Sequence, residues 1–392
     1  MSGSVIVAGA RTPIGRLLGQ LKEFTAPSLG AIAIKEAVLR SGINGDQVDA
    51  VIMGNVVQAG VGPNLARQAA ALAGLPLSIP AQTVNKLCLS GIAAIAHADL
   101  LISSGQCEVV VAGGSESMTN APHLVRGVRG GIRYGERTFE DALDRDALID
   151  AFDGESMGLS TERYFEPFEF SREELDAFSA ESHRRAAEAT VSGRFDKEIV
   201  SVDTRSGPFA SDEGIRADTT VESLGRLSPA FLGGGRLTAG SSSQLSDGAC
   251  AVVVMSREKA RVLGIAPLAE IGEYGMVAGP DTSLLVQPAN AIRDALRRDG
   301  GLSISDLDLV EINEPFAAVA LASMADLKID PAIVNVNGGA IALGHPVGMS
   351  GARLVYSLIL ELRRLGGSRV GAASLCGGGG QGDALILRTS AE

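Results

Sequence analysis

Four side chains in this chain could do chemistry together: Cys88, His345, Cys376 and Asn313. Cys88 lies in NKLCLSGIAAIAHADLL, between a β-branched run and an apolar helical pattern. There the free N–H groups and dipole of a helix N-terminus would favour a thiolate. The plainer reading is a small buried hydrophobe, since cysteine is among the most buried residue types. Ser90-Gly91 directly behind it would let another backbone or a ligand come close. His345 sits in NGGAIALGHPVGMSGAR, where glycines 338, 339, 344, 348 and 351 would keep bulk away from the ring. A lone histidine is more often a surface or satisfied core residue, but this placement suits a base that activates a thiol. Cys376 precedes Gly377, Gly378, Gly379 and Gly380. As structure these are a loose, entropically costly turn. As function they expose N–H groups to an oxyanion beside a thiol. Asn313-Glu314-Pro315-Phe316 follows an apolar strand, and Pro315 fits the first turn of a helix, with simple capping as the plainer role.

The elements that must hold these residues alternate. SVIVAGA (4–10), AVIMGNVV (50–57), TVNKLC (83–88) and EVVVAGG (108–114) read as strands, with helices near 28–41, near 63–74 and from the TVNKLC segment through Ser104. Apolar strands separated by amphipathic helices predict a largely buried parallel or mixed sheet. From Asn120 to about Ser246 the chain is richer in charge, Gly, Ser and Phe, with one clear polar helix (REELDAFSAESHRRAAEATVSG). That stretch reads as an inserted, loop-rich subdomain, and strand character returns at DGACAVVVMS (247–256). The final third repeats the opening: DLVEINEP matches AVIMGNVV, the segment 333–366 matches TVNKLCLSGIAAIAHADLLISSG, and SRVGAASLCGGGGQG matches EVVVAGGSES. A period near half the chain is a duplicated domain, not a solenoid. Two such halves would bring matched strand ends around one cleft.

Composition narrows the function. The 392 residues are 45% hydrophobic and 20% charged, enough for a sizeable core in two or three domains. A net charge of −12 with no Trp and four Tyr excludes a basic, stacking surface for nucleic acid. No apolar run approaches a membrane span, and the N-terminus lacks a secretory pattern. The four cysteines form no CxxC and the four histidines no HExxH, so no metal site is expected. These features predict a soluble, cytoplasmic protein with free thiols. There is no P-loop, no GxSxG elbow and no GxGxxG in a first strand–helix turn.

Taken together, VIVAGARTPIG, VNKLCLSG, VVVAGGSESMTNAPH, TAGSSSQLSDGA, EINEPFA, NVNGGAIALGHPVGMSGAR and LCGGGGQGDA closely resemble the thiolase family, essentially end to end. The resemblance implies an α/β fold of two similar βαβαβαββ halves in layers, with an inserted loop domain that holds coenzyme A. The corresponding boundaries are 1–119 with 247–268 returning to it, 120–246, and 269–392. It implies acetyl-CoA C-acetyltransferase activity, in either direction, through an acyl-Cys88 intermediate. Cys88 matches the acylated nucleophile, His345 the histidine that activates it, and Cys376 the second catalytic cysteine. Asn313 matches the asparagine that holds a water in one oxyanion hole, and the backbone N–H groups of Cys88 and Gly378 match the other.

For coenzyme A the resemblance implies contacts from Met157, Arg216, Ser223, Phe231, Ala239, Ser243 and Phe316. It implies no metal and no cofactor, since coenzyme A thioesters are the substrates, and a homotetramer built as a dimer of dimers. The chain departs from the family pattern where Pro315 replaces a small residue, and where Ser156 precedes Met157 instead of the histidine of many biosynthetic members. Two other readings are a decarboxylating condensing enzyme of the ketoacyl synthase kind and a silent acyl-CoA-binding relative. The first lacks a counterpart of Cys376 and its glycines; the second would bind coenzyme A without turnover.

Overall fold

The structure, a computed structural model, describes residues 3–165 and 168–390. The first part of the chain forms β1 (Ser4–Arg11), β2 (Gly15–Arg16), α1 (Ala26–Ser41), β3 (Ala50–Gly54), α2 (Leu65–Leu72), β4 (Ala81–Val84), α3 (Ser90–Ser103) and β5 (Val109–Ser117). Every residue of β1 and β5 is buried, which explains their near-continuous apolar runs: both faces are covered. Local chemistry sets the ends of α1. Thr25 accepts from the Ser28 N–H, Pro27 stands in the first turn, and Gly42 closes the helix in the left-handed conformation at φ 73°.

The middle segment holds β6 (His123–Leu124), β7 (Glu140–Asp141), α4 (Met157–Arg163), α5 (Arg172–Val191), β8 (Val202–Thr204), β9 (Gly207–Phe209) and α6 (Val221–Gly225). α5 is the polar helix seen in the sequence, started by a capping box between Ser171 and Glu174. The chain then makes β10 (Ser246–Ser256), α7 (Arg257–Leu263), β11 (Ala269–Ala278), α8 (Gln287–Asp299), β12 (Leu309–Ile312), α9 (Ala317–Leu327), α10 (Ala340–Leu343), α11 (Ser350–Leu365), β13 (Arg369–Gly377) and β14 (Gln381–Thr389).

Pairing in the main sheet runs β12-β13-β14-β11-β1-β10-β5-β3-β4, with β2 on β10. The order contains the duplication. In the first half β1 pairs antiparallel with β10, β10 antiparallel with β5, and β5 and β4 both parallel with β3. In the second half β11 pairs antiparallel with β14, β14 antiparallel with β13, and β13 parallel with β12. Val334, beside Val310 in a parallel bridge, stands where β4 stands in the first half. The halves join through the antiparallel pairs Val5–Glu270 and Ile6–Ala269.

Helices α3 and α11 are mostly buried and lie against each other between the half-sheets. Their crossing explains the Ser-Gly that opens both. A Cβ on Gly91 would stand 2.7 Å from the Ala352 nitrogen, and one on Gly351 2.5 Å from the Ile92 nitrogen. Only glycine allows the backbones this close.

Some boundaries differ from the sequence reading. The strand predicted over 50–57 ends at Gly54, because Val56 and Val57 turn to give their N–H groups to Glu116. The strand predicted over 83–88 covers Ala81–Val84, which leaves Cys88 in a turn. Pro315 lies outside α9, whose first residue is Ala317 with Phe316 at the cap; the Pro315 carbonyl instead accepts from the Ser243 N–H at 2.9 Å.

Candidate active site

Each half brings its reactive groups to the end of a parallel strand or the start of the helix that follows. Cys88 lies between β4 and α3, His345 between α10 and α11, Asn313 just past β12, and Cys376 near the end of β13. The turn at Cys88 is strained: Leu87 has φ 55°, a left-handed value costly for a branched side chain. Leu87 N–H donates to Asn85 Oδ1 at 3.0 Å, and Ser90 Oγ donates to the Leu87 carbonyl at 2.6 Å, so neighbours hold the strain in place. Gly378 faces this turn closely. A Cβ there would stand 2.6 Å from Met157 Cε and 3.0 Å from Leu87 Cδ1.

His345 is buried, and each ring nitrogen has a partner. Nδ1 lies 2.6 Å from Ser350 Oγ and Nε2 lies 3.4 Å from Asn313 Nδ2. Ser350 donates its single proton to the Pro346 carbonyl at 3.0 Å, so it accepts from Nδ1–H. Nε2 is therefore the lone-pair nitrogen, and Asn313 donates to it. Burial, with Arg353 adding, lowers the imidazole to about 3. Asn313 is fully buried; its N–H donates to the Ser374 carbonyl at 3.0 Å, while its Oδ1 has no partner.

Both thiols are pushed up, mainly by burial. Half-buried Cys88 rises to about 12, with Glu116 adding, and the Cys376 thiol rises further, with the charge of Cys88 adding. The sequence expectation of a thiolate favoured by the helix is not met. Cys88 stands one residue ahead of the Leu89 cap, and loss of water outweighs what the helix end supplies.

The glycines around His345 also do something other than leave room. A Cβ on Gly348 would stand 2.8 Å from Glu116 Oε2, and one on Gly344, at φ 109°, 2.3 Å from Ser246 Oγ. They let the loop fit tightly against its neighbours. The glycines after Cys376 likewise make a tight hairpin: the Gly379 N–H donates to Asp150 at 2.8 Å, and a Cβ on Gly380 would stand 1.9 Å from the Asp281 carbonyl.

Of the predicted coenzyme A contacts, several gather at the site. Met157 opens α4 against Gly378, and Phe231 packs edge-on against Phe316 with centroids 5.7 Å apart. Ser243 is tied to Pro315, two residues beyond Asn313. Arg216, Ser223 and Ala239 are exposed on the middle segment. The Arg216 N–H donates to buried His183 Nδ1 at 3.1 Å, and the Ser223 hydroxyl is engaged in the capping box of α6. A cavity of about 790 Å³ lined by Arg16, Lys22, Arg205 and Gln244 contains none of the predicted site residues.

The sequence reading missed Ser350, Glu116, Lys86 and Asp383 as site-building residues. Ser350 had a signal, since it aligns with Ser90 in the repeat. The others had none, because their partners lie far along the chain.

The duplicated fold, with the turn of Cys88 packed on the glycines that follow Cys376, is the frame of an acyltransferase. Comparison with known proteins agrees: the thiolase N-terminal domain model matches residues 4–258 and the C-terminal domain model residues 265–389. The chain is 56% identical over 393 residues to a probable acetyl-CoA acetyltransferase of Mycobacterium tuberculosis, covering 99% of this chain and 100% of that one. It is 46% identical to the acetyl-CoA acetyltransferase of Pseudomonas aeruginosa, over 99% of each. The crystal structure of the Bacillus anthracis acetyl-CoA acetyltransferase superposes with a TM-score of 0.95 at 41% identity, covering 99% of both chains. The chain belongs to the thiolase family.

Proposed function

We infer that this enzyme is an acetyl-CoA C-acetyltransferase, interconverting two acetyl-CoA with acetoacetyl-CoA and free coenzyme A by a ping-pong route. The reading rests on one arrangement: the turn of Cys88 packs on Gly377 and Gly378 directly after Cys376, and an uncharged imidazole turns its Nε2 lone pair to Asn313, whose backbone N–H is bonded to Ser374 on the strand of Cys376. The names of its relatives support the same substrate.

In the first half-reaction Cys88 Sγ attacks the thioester carbonyl as its proton passes to His345 Nε2. Charge develops on the carbonyl oxygen and is met by the N–H groups of Cys88 and Gly378. Coenzyme A leaves as a thiolate and takes the proton of Cys376, which becomes a thiolate. A second acetyl-CoA then loses an α-proton to Cys376, and its carbanion attacks the acyl group on Cys88. The enolate oxygen is held by Nε2–H of His345 and by a water that the Asn313 side chain holds. Cys88 leaves as a thiolate and recovers its proton from His345, so every proton is returned.

Met157, Phe231 and Phe316 supply apolar contact for the pantetheine arm, with Gly378, Ala239 and Ser243 along the same path, and Arg216 and Ser223 reach the nucleotide end. In this reading residues 120–246 form the coenzyme A-binding unit between core units 1–119 (with 247–268) and 269–392. Coenzyme A thioesters are substrates, so no cofactor or metal takes part. Free thiol chemistry suits the reducing cytoplasm, and a homotetramer is the assembly we propose. No helix among the described residues is long and apolar enough to cross a membrane.

Separating the half-reactions tests the reading. Cys376→Ser should still gain one acetyl group from acetyl-CoA, on the Cys88 peptide, yet make almost no acetoacetyl-CoA. Cys88→Ala should gain none. An acetyl group mapped to Cys376 in the wild type would reverse the two roles.

A further inference from the structure

Among the buried charged groups that the acyl-transfer chemistry does not use, one bears on the segments of both cysteines. Asp383 lies on β14 with its side chain fully out of water, in register with Leu375, the residue before Cys376. Its carboxylate accepts from Lys86 Nζ at 2.7 and 2.9 Å and from the Tyr274 hydroxyl on β11. The Lys86 ammonium also lies over the Tyr274 ring, 5.7 Å from its centre. Lys86 begins the strained turn that carries Cys88, next to Leu87. Three side chains of that turn thus reach the second-half hairpin. Lys86 is paired with Asp383, while Leu87 and Leu89 fill the spaces above Gly378 and Gly377.

An ion pair whose carboxylate is buried and whose ammonium is only partly so adds little stability over an apolar replacement, so stability alone is a weak reason to place one here. Its direction is informative. The contacts from the His345 loop to the Cys88 side run through other groups, namely Gly348 N–H to Glu116 at 3.0 Å and the Gly91–Gly351 crossing. The Lys86–Asp383 link bypasses these and joins the turn of one cysteine to the strand paired with that of the other.

We propose that Lys86, Asp383 and Tyr274 form a strut that sets the spacing of the Cys88 and Cys376 sulfurs, and so act as positioning residues for the carbon–carbon step. This rests on the acyl-transfer reading above. Acylation needs Cys88 against His345, whereas bond formation needs the acyl carbon on Cys88 to meet the carbanion generated at Cys376. The strut governs the second distance. A misplacement of about 1 Å can cost as much as ~10²-fold in rate.

The test uses Lys86→Met, Asp383→Asn and Tyr274→Phe in the full-length enzyme. Two readouts are compared: acetylation of Cys88 by acetyl-CoA in a single turnover, and steady-state condensation. A third readout, independent of activity, is bridging of the two thiols by dibromobimane, which fluoresces once both ends have reacted, with the Cys88–Cys376 peptide identified by mass.

The strut predicts acetylation within about threefold of wild type, condensation down about tenfold or more, and bridging slowed relative to the first alkylation. Lys86→Arg should rescue all three readouts, because a guanidinium can still pair with the carboxylate. Should Asp383→Asn fail to fold, Tyr274→Phe removes a single hydroxyl and carries the same expectation. Acetylation and condensation falling by one common factor, or bridging at the wild-type rate, would overturn the strut. Slowed bridging in the variants together with no acetyl-Cys88 in the wild type would instead overturn the acyl-transfer reading and leave the spacing role intact.

Discussion

At the scale of single residues, the chemistry turns on which protonation states exist before substrate arrives. Burial lowers His345 to about 3 and raises Cys88 to about 12, so between those values both groups are neutral. In the mechanism proposed above, the pair therefore enters the reaction as a thiol and a general base, not as a preformed thiolate–imidazolium. Ser350 makes this possible by keeping the proton on Nδ1. A pH dependence follows with a definite sign. The base is lost only as pH falls through about 3, and free thiolate gains only as pH rises toward about 12. Acetylation of Cys88 by saturating acetyl-CoA should therefore be nearly flat from about pH 5.5 to 9, with no step near the ordinary imidazole value of about 6.5. Alkylation of Cys88 by iodoacetamide depends on the thiolate and should rise about tenfold per pH unit over the same range, without a plateau. A titration near 6.5 in the first profile, or a plateau near 8.5 in the second, would contradict these assignments.

At the scale of elements, the site is set by two helix starts that must nearly touch. Adding one methyl at Gly351 would force its Cβ to 2.5 Å from the Ile92 nitrogen, and at Gly91 to 2.7 Å from the Ala352 nitrogen. Gly351→Ala should push α11 away from α3 and carry His345 off Cys88. The expected result is a loss of about 1–3 kcal/mol in unfolding free energy from overpacking, with Cys88 acetylation falling about tenfold or more. Leu100→Ala, on the exposed side of α3, should change neither quantity appreciably. Equal melting curves and equal acetylation for Gly351→Ala and wild type would show that the crossing is looser than described. This crossing was legible in the sequence, because Ser90-Gly91 and Ser350-Gly351 occupy matched places in an internal repeat. So were the buried strands β5 and β10, whose apolar runs need two covered faces. What could not be read is what folding brings together from afar. Lys86 and Asp383 meet across 297 residues of chain, and nothing local to either marks the other. The expected thiolate at Cys88 failed for a related reason: the helix start was visible, but the burial of the thiol was not.

At the scale of the whole molecule, Glu116 ties the two halves together. It lies on β5 of the first half with its side chain fully buried. One carboxylate oxygen accepts from Asn55 Nδ2 and the Val57 N–H; the other accepts from the Val56 N–H and, in the second half, the Gly348 N–H. Loss of water outweighs these donors, and the carboxyl is raised from 4.5 to about 7, with Asp247 contributing. In the unfolded chain the same group titrates at its ordinary value. The native protein therefore keeps a proton that the unfolded chain has released as pH rises through 4.5. Stability attached to that proton is fully present below 4.5 and is lost as pH climbs through about 7, where the buried carboxyl must ionise. Glu116→Gln removes this titration but keeps the shape, while turning an acceptor into a donor toward the same N–H groups. That mismatch costs stability at every pH by a constant amount, so only the slope is diagnostic. The difference in unfolding free energy, variant minus wild type, should become more favourable to the variant between about pH 5 and 8, by on the order of 2–3 kcal/mol, and level off above that. Urea unfolding at five or six pH values, with both proteins in the same buffers, measures it. A pH-independent difference would mean that Glu116 is already ionised in the native state at pH 5, with its four donors outweighing burial.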